Sequence, residues 1–188
     1  MTSEPIYTLE DFEVLLTEAQ IRERVEALGR EITGAMQGQA LTVIGVLKGS
    51  FLFMADLVRA VDLPLTCDFL RVSSYEGGTH STGVVRIDFD ATQPMDGRQV
   101  LLVEDIIDTG LTMKYLLEYL ALRKPASLGV CSLLHKSRPS AAEVPIEFLG
   151  FEIPDRFVIG YGLDYMGLYR DLRDIRALKP EALERTRR

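Results

Sequence analysis

The chemistry of this chain is concentrated in one run, Val103-Glu104-Asp105-Ile106-Ile107-Asp108-Thr109-Gly110-Leu111-Thr112. Glu104 and Asp105 are adjacent hard-oxygen acceptors, suited to sugar hydroxyls or to the water shell of a magnesium ion. Thr109 and Thr112 add hydroxyl donors, and Gly110 lets backbone approach a ligand with no side chain between. Where a strand end meets a helix N-terminus, unpaired backbone N–H groups face outward, so 108–112 reads as a phosphate cradle that uses no lysine. The blander reading is that the acid pair ends a strand and Asp108 caps a helix, since Asp is common at caps. Three carboxylates at one strand end repel one another, however, and such crowding favours a cation or a catalytic role.

Other positions carry weaker signals. Leu47-Lys48-Gly49-Ser50 has a lysine beside a glycine, but the GxxxxGK[ST] order is absent, so an ATP- or GTP-binding loop is disfavoured. Lys48 is then either a solvated loop residue or a phosphate contact at a strand end. Ser73-Ser74-Tyr75 opens a polar, glycine-bearing stretch that reads as a surface turn or as a lid. Lys136 and Phe157 by themselves read as an exposed strand-end residue and a core aromatic.

The elements that must position these residues alternate along the chain. Thr17 with Gln20 makes a capping box, followed by Ile21, Val25, Leu28, Ile32 and Met36 at helical spacing. Strand, tight turn and helix follow over 41–47, 49–50 and 51–61. Further strands are expected at 65–72, 83–89, 99–103, 127–134, 146–149 and 157–159, with a helix at 111–122 and a hairpin-like edge around 83–97. The final residues, 185–188, read as a frayed end. This order predicts an α/β fold.

Composition bounds the rest. The length of 188 residues suits a single domain over 1–188, and 47% hydrophobic with 26% charged residues marks an ordinary globular chain. A net charge of −7 removes the usual basis for binding nucleic acid, and an anionic substrate therefore needs a local site. Cys67 and Cys131 have no CxxC spacing, which predicts buried free thiols in a reducing compartment. No apolar run approaches the roughly 20 residues needed to span a bilayer, and the N-terminal acids Glu4, Glu10 and Asp11 argue against an export signal. The expectation is a cytoplasmic protein with neither membrane nor nucleic-acid partners.

The run around Asp108 resembles, nearly position for position, the phosphoribosyl pyrophosphate motif of type I phosphoribosyltransferases, most of all that of the hypoxanthine-guanine members. The resemblance extends over roughly 43–171, with matches in order at each expected site. It implies a mainly parallel central sheet flanked by helices, a small hood built from the N-terminal and C-terminal segments, and a flexible lid over about 73–83. It gives Glu104 and Asp105 to the ribose hydroxyls, Asp108 to acid/base catalysis, and Thr109, Gly110, Leu111 and Thr112 to the 5′-phosphate. Lys48, Gly49 and Arg170 are implied to contact pyrophosphate, with a cis peptide before Lys48. Lys136 would donate to the purine 6-oxygen, Phe157 would stack on the base, and Val158 would present backbone to its edge. Asp164 would join Glu104 and Asp105 in addressing Mg2+ beside the purine site, and Ser74 and Tyr75 would open the lid. Leu111 departs from relatives that carry Lys there, and the lid has its own Glu76-Gly77-Gly78-Thr79-His80 sequence.

Taken together, the resemblance implies purine salvage: transfer of a phosphoribosyl group from phosphoribosyl pyrophosphate to N9 of hypoxanthine or guanine, by a homodimer or homotetramer. Two alternatives share the phosphate and ribose motifs. A nucleic-acid-binding regulator on the same fold conflicts with the acidic charge. A transferase for another base, xanthine among them, is narrowed by Lys136 to 6-oxopurines.

Overall fold

The computed structural model describes residues 6–74, 85–136 and 143–185. Their elements are β1 (Phe12–Leu16), α1 (Glu18–Ala35), β2 (Leu41–Leu47), α2 (Phe51–Ala60), β3 (Leu65–Ser74), β4 (Val85–Phe89), β5 (Gln99–Ile107), α3 (Leu111–Ala121), β6 (Ser127–Lys136), β7 (Phe148–Ile153), β8 (Val158–Ile159), β9 (Ile175–Leu178) and α4 (Pro180–Arg185). Six strands form one sheet in the order β4-β3-β2-β5-β6-β7. All neighbours are parallel except β4, which runs antiparallel to β3 at the edge. The hairpin-like edge expected around 83–97 is corrected accordingly: β4 pairs with the preceding strand β3 and not, across the 94–97 turn, with β5.

A sheet covered on both faces reads as nearly continuous apolar strands, and β2 is buried throughout Leu41 to Val46. Its side chains alternate between two cores. Val43 joins Leu101, Val103 and Leu133 beneath α1 and α2. Ile44 and Val46 join Val100, Leu102 and Val130 against Met113, Leu116 and Leu120 of α3. Helix α1 starts at the anticipated box: the Thr17 hydroxyl accepts the Gln20 N–H at 3.4 Å, and Gln20 Oε1 accepts the Thr17 N–H at 2.9 Å. Such a cap contributes about 1 kcal/mol, and the apolar stripe of Ile21, Val25, Leu28 and Ile32 is buried.

The strand order positions the chemistry. From β2 the chain first moves to β3 on one side, and then places β5, β6 and β7 on the other. The reversal therefore lies between β2 and β5, and in open α/β sheets the crevice beyond the carboxyl ends of such a pair is where ligands bind. The residues following those two strand ends are Lys48-Gly49-Ser50 and Asp108-Thr109-Gly110.

A second sheet, β1-β9-β8, is antiparallel and brings the two ends of the described chain together, with Phe12 opposite Leu178. Neither β1, β9 nor α4 was anticipated from sequence. Arg185, expected to fray, ends α4 and ion-pairs with Asp11. Cys131 is buried as expected, but Cys67 is exposed, because β3 lies only one strand from the sheet edge. No helix among the described residues is long and apolar enough to cross a membrane.

Candidate active site

The first wall is the turn after β2. The Leu47–Lys48 peptide is cis, as the resemblance implied. Lys48 is exposed at the turn, while Ser50 is fully buried and its hydroxyl donates to the Val46 carbonyl at 2.6 Å, tying the turn back to its strand. Gly49 is dictated by space: a Cβ there would lie 1.5 Å from Asp105 Oδ2. Gly162 closes the other side, with φ +101° and room for no Cβ, which would meet the Gly49 carbonyl oxygen at 2.1 Å. Three distant segments thus touch through two glycines and a buried carboxylate.

The floor is the end of β5. The strand continues through Glu104 and Asp105 to Ile107, beyond the expected stop at Val103, because β6 pairs with it as far as Ile107 opposite His135. Asp105 is 9% exposed, and its Oδ1 accepts the Ile106 N–H at 2.8 Å. Burial and the neighbouring Asp105 charge push the Glu104 carboxyl well above the ordinary carboxylate range. Burial raises Asp105 as well, against the opposing pull of its hydrogen bonds and of Arg170. Two carboxylates held this way favour partners that neutralise or donate to them: hydroxyls, or a hydrated divalent cation.

The second wall is the turn into α3. Gly110 occupies the N-cap position in the left-handed region at φ +76° and has no side chain with which to cap the helix. The first-turn N–H groups point toward the mouth of the turn. Glu104, Ile106, Ile107, Asp108, Thr109, Gly110, Thr112 and Met113 enclose a pocket of about 110 Å³ there. Leu111 begins the helix and is exposed. A larger cavity of about 700 Å³ lies between α1, α2 and the segment around 161–173, and its lining includes none of these residues.

Register also explains the next contact. With His135 opposite Ile107, the following residues Lys136 and Asp108 are neighbours, and Lys136 Nζ lies 3.1 Å from Asp108 Oδ2. Lys136, anticipated from its sequence position alone as exposed, is buried at 6% exposure; Asp155 Oδ1 approaches its ammonium at 3.6 Å. Phe157 shows the reverse: a residue resembling core is 43% exposed. Its ring meets Tyr165 edge-on, with centroids 5.7 Å apart, and Phe12 at a tilt, with centroids 6.4 Å apart, leaving part of the ring uncovered. Val158 follows, buried at the start of β8.

Arg170 ties together the loop between β8 and β9. Its guanidinium donates to the Gly162 carbonyl and pairs with Asp164 Oδ1 at 2.5 Å, while Asp164 Oδ2 accepts the Gly167 N–H at 2.7 Å. Asp164 is thus engaged with Arg170, and among the described residues no group of three His, Cys, Asp or Glu side chains makes a ready metal cage. Glu104, Asp105 and Asp164 all offer hard oxygen donors, the class that suits magnesium, whose coordination is normally completed by water and substrate oxygens. Ser74 ends β3, and Tyr75 lies outside the described residues. Asp155, Tyr165 and Phe12 were given no role from sequence. Only the Asp-Arg-Phe adjacency of 155–157 could have drawn attention to the first.

Known proteins resemble this chain in sequence and fold. The phosphoribosyl transferase domain family model matches residues 13–166. The hypoxanthine-guanine phosphoribosyltransferase of Mycobacterium avium is 49% identical over 177 residues, covering 91% of this chain and 87% of that protein. The one from Dictyostelium discoideum is 46% identical over 177 residues, covering 92% and 98%. A crystal structure of a hypoxanthine phosphoribosyltransferase from Staphylococcus aureus matches with a TM-score of 0.86 at 46% identity, covering 92% of this chain and 94% of that one. With sequence likeness over nine-tenths of its length and the same fold, the chain belongs to the phosphoribosyltransferase family, among its hypoxanthine-guanine members.

Proposed function

We propose that the chain transfers the 5-phosphoribosyl group of phosphoribosyl pyrophosphate to N9 of hypoxanthine or guanine, giving IMP or GMP and pyrophosphate. The observation that carries this reading is the meeting of two turns, 48–50 and 108–112, across the acid pair Glu104 and Asp105 at the sheet's switch point. In it the N–H groups and hydroxyls of Thr109 to Thr112 take the 5′-phosphate, and Lys48, Gly49 and Arg170 face pyrophosphate. Glu104 and Asp105 accept the ribose hydroxyls, which suits two carboxyls that burial leaves in need of donors.

Glu104, Asp105 and Asp164 are the groups that would hold Mg2+, through the diol and water. When bound, that ion supplies positive charge against the departing pyrophosphate. The C1′–oxygen bond to pyrophosphate breaks ahead of N9–C1′ bond formation, so C1′ carries positive character as N9 attacks and pyrophosphate leaves. Asp108 accepts the N7 proton as N9 attacks, a general-base contribution typically worth ~10²–10⁴-fold. Phe157 offers its uncovered ring to the purine, and Val158 presents backbone to the base edge. Lys136 donates to the 6-oxygen; against adenine the same buried donor would face an amino group, which disfavours that base. Ser74 and Tyr75 begin the segment that would exclude water from the charged sugar. The reading includes assembly as a homodimer or homotetramer in the cytoplasm.

The test is a purified-protein assay with phosphoribosyl pyrophosphate, magnesium and hypoxanthine, guanine, xanthine or adenine in separate reactions. Release of pyrophosphate with hypoxanthine or guanine, and little with adenine, is the expected outcome. Turnover with adenine alone, or with no purine, would remove the assignment.

A further inference from the structure

We propose that Asp155 is a positioning residue for the transfer, holding the Lys136 ammonium at the base while Asp108 changes charge. The inference rests on the reading of Asp108 as proton acceptor and of Lys136 as donor to the purine 6-oxygen.

The geometry begins with the sheet. Lys136 closes β6 opposite Ile153, the last residue of β7. Pro154 stops the strand by removing a donor and fixing φ, and the chain turns back with the Arg156 N–H donating to the Pro154 carbonyl at 2.8 Å. The turn is pinned from outside: the Arg156 guanidinium donates to the Leu178 carbonyl at 2.7 Å and pairs with Glu13 at 2.6 Å. This places Asp155 on one side of the Lys136 ammonium and Phe157 two residues further on, where the purine would lie. Asp108 also approaches the ammonium, at 3.1 Å against 3.6 Å for Asp155.

The charges then have a simple order. In the resting site one ammonium, 8% exposed at its side chain, is shared by two carboxylates. Once Asp108 has taken the N7 proton, its carboxyl is neutral and its attraction for Lys136 falls. A buried ammonium left without an ionic partner tends to move or lose its proton. The Asp155 carboxylate lies beside it at 3.6 Å, so the ammonium keeps an ionic partner, stays in place and stays a donor to the 6-oxygen through the step. Asp155 touches none of the reacting atoms in this scheme and acts through Lys136.

Asp155 is 52% exposed, so Asp155→Asn should fold normally, and the effect of losing a partly screened charge is modest. The expected result is a fall of about 3- to 10-fold in kcat/KM for hypoxanthine, with the KM for phosphoribosyl pyrophosphate and the melting temperature unchanged. Asp155→Glu should recover most of the loss. A double-mutant cycle with Lys136→Gln supplies the readout that a merely structural residue would not move. If Asp155 works through Lys136, adding D155N to K136Q should cost less than about 2-fold more. Wild-type kinetics in D155N, or multiplicative losses in the double variant, would overturn the inference while leaving the site reading intact. Wild-type kinetics in K136Q would overturn the reading of Lys136 itself, and this inference with it.

Discussion

Gly49→Ala is the substitution through which the site's construction can be measured. The added Cβ would fall 1.5 Å from Asp105 Oδ2 and 2.4 Å from its Cγ, about 2 Å short of an ordinary carbon–oxygen contact. Neither side can yield freely. The Asp105 carboxylate is buried and anchored by the Ile106 N–H at 2.8 Å, and the turn's own carbonyl already sits where a Gly162 side chain would begin. Forcing Asp105 off its rotamer costs about 0.5–1.5 kcal/mol, and stranding the buried hydrogen-bonding group costs about 1–3 kcal/mol more. A destabilisation of about 2–4 kcal/mol follows, which at this chain length lowers the melting temperature by about 5–15 °C. A carboxylate displaced by 1 Å or more from a reacting sugar should also reduce kcat/KM by about 100-fold. Calorimetry and steady-state assays on G49A, D105A and the double variant separate the two effects. Truncating Asp105 removes the clash, so the double variant should be more stable than the sum of the single losses, with activity still depressed. A G49A protein with wild-type stability and turnover would refute the packing of the turn on the acid pair.

Other outcomes follow from the same structure. Asp108→Asn should lower kcat by about 10²–10⁴-fold with little change in either KM, and pre-steady-state measurement should place the loss in the chemical step. Phe157→Ala removes a partly exposed ring, so the KM for hypoxanthine should rise about 5- to 10-fold while the KM for phosphoribosyl pyrophosphate and the melting temperature hold. Asp68 supplies the pH test: burial opposes its charge, but N–H groups of Gln93, Phe69 and Thr92 outweigh burial and lower its carboxyl below the ordinary 3.8. A lowered folded value means that the stabilisation is present above the ordinary range and is lost as pH falls through the folded value. Asp68→Asn should therefore melt below the wild type at pH 7, with the gap closing below about pH 4.

What could be read ahead of the structure divides along physical lines. Strand β2 and helix α1 were legible because their signals are local: an unbroken apolar run, and a capping box followed by a 3.6-residue stripe. Strand β5 extends past its acid pair because β6 supplies hydrogen-bond partners out to Ile107, and no local propensity of Glu104 or Asp105 announces that. Strand β7 lies at Phe148–Ile153, two residues later than expected at its start and four at its end, because pairing with β6 again sets the register. In the sheet β1-β9-β8, the strand at 157–159 was expected but β1 and β9 were not, for a related reason: Phe12 pairs with Leu178 from the far end of the chain, and both strands are too short to show a period. At the site, the run 103–112 was legible as chemistry because its residue types are unusual together. The contacts that finish the site are tertiary. Lys136 is buried beside Asp108 through the β5–β6 register, Gly49 lies over Asp105 through a turn packing on another strand, and Asp155 faces Lys136 only because β6 and β7 end together.

The most direct test of the central claim is a crystal structure of the protein with IMP, magnesium and pyrophosphate. The nucleotide phosphate should sit on the N–H groups of Thr109 to Thr112, the ribose hydroxyls on Glu104 and Asp105, and the hypoxanthine ring between Phe157 and Lys136. A nucleotide bound in the 700 Å³ cavity beside α1 and α2, with the β5 acids left facing solvent, would contradict it.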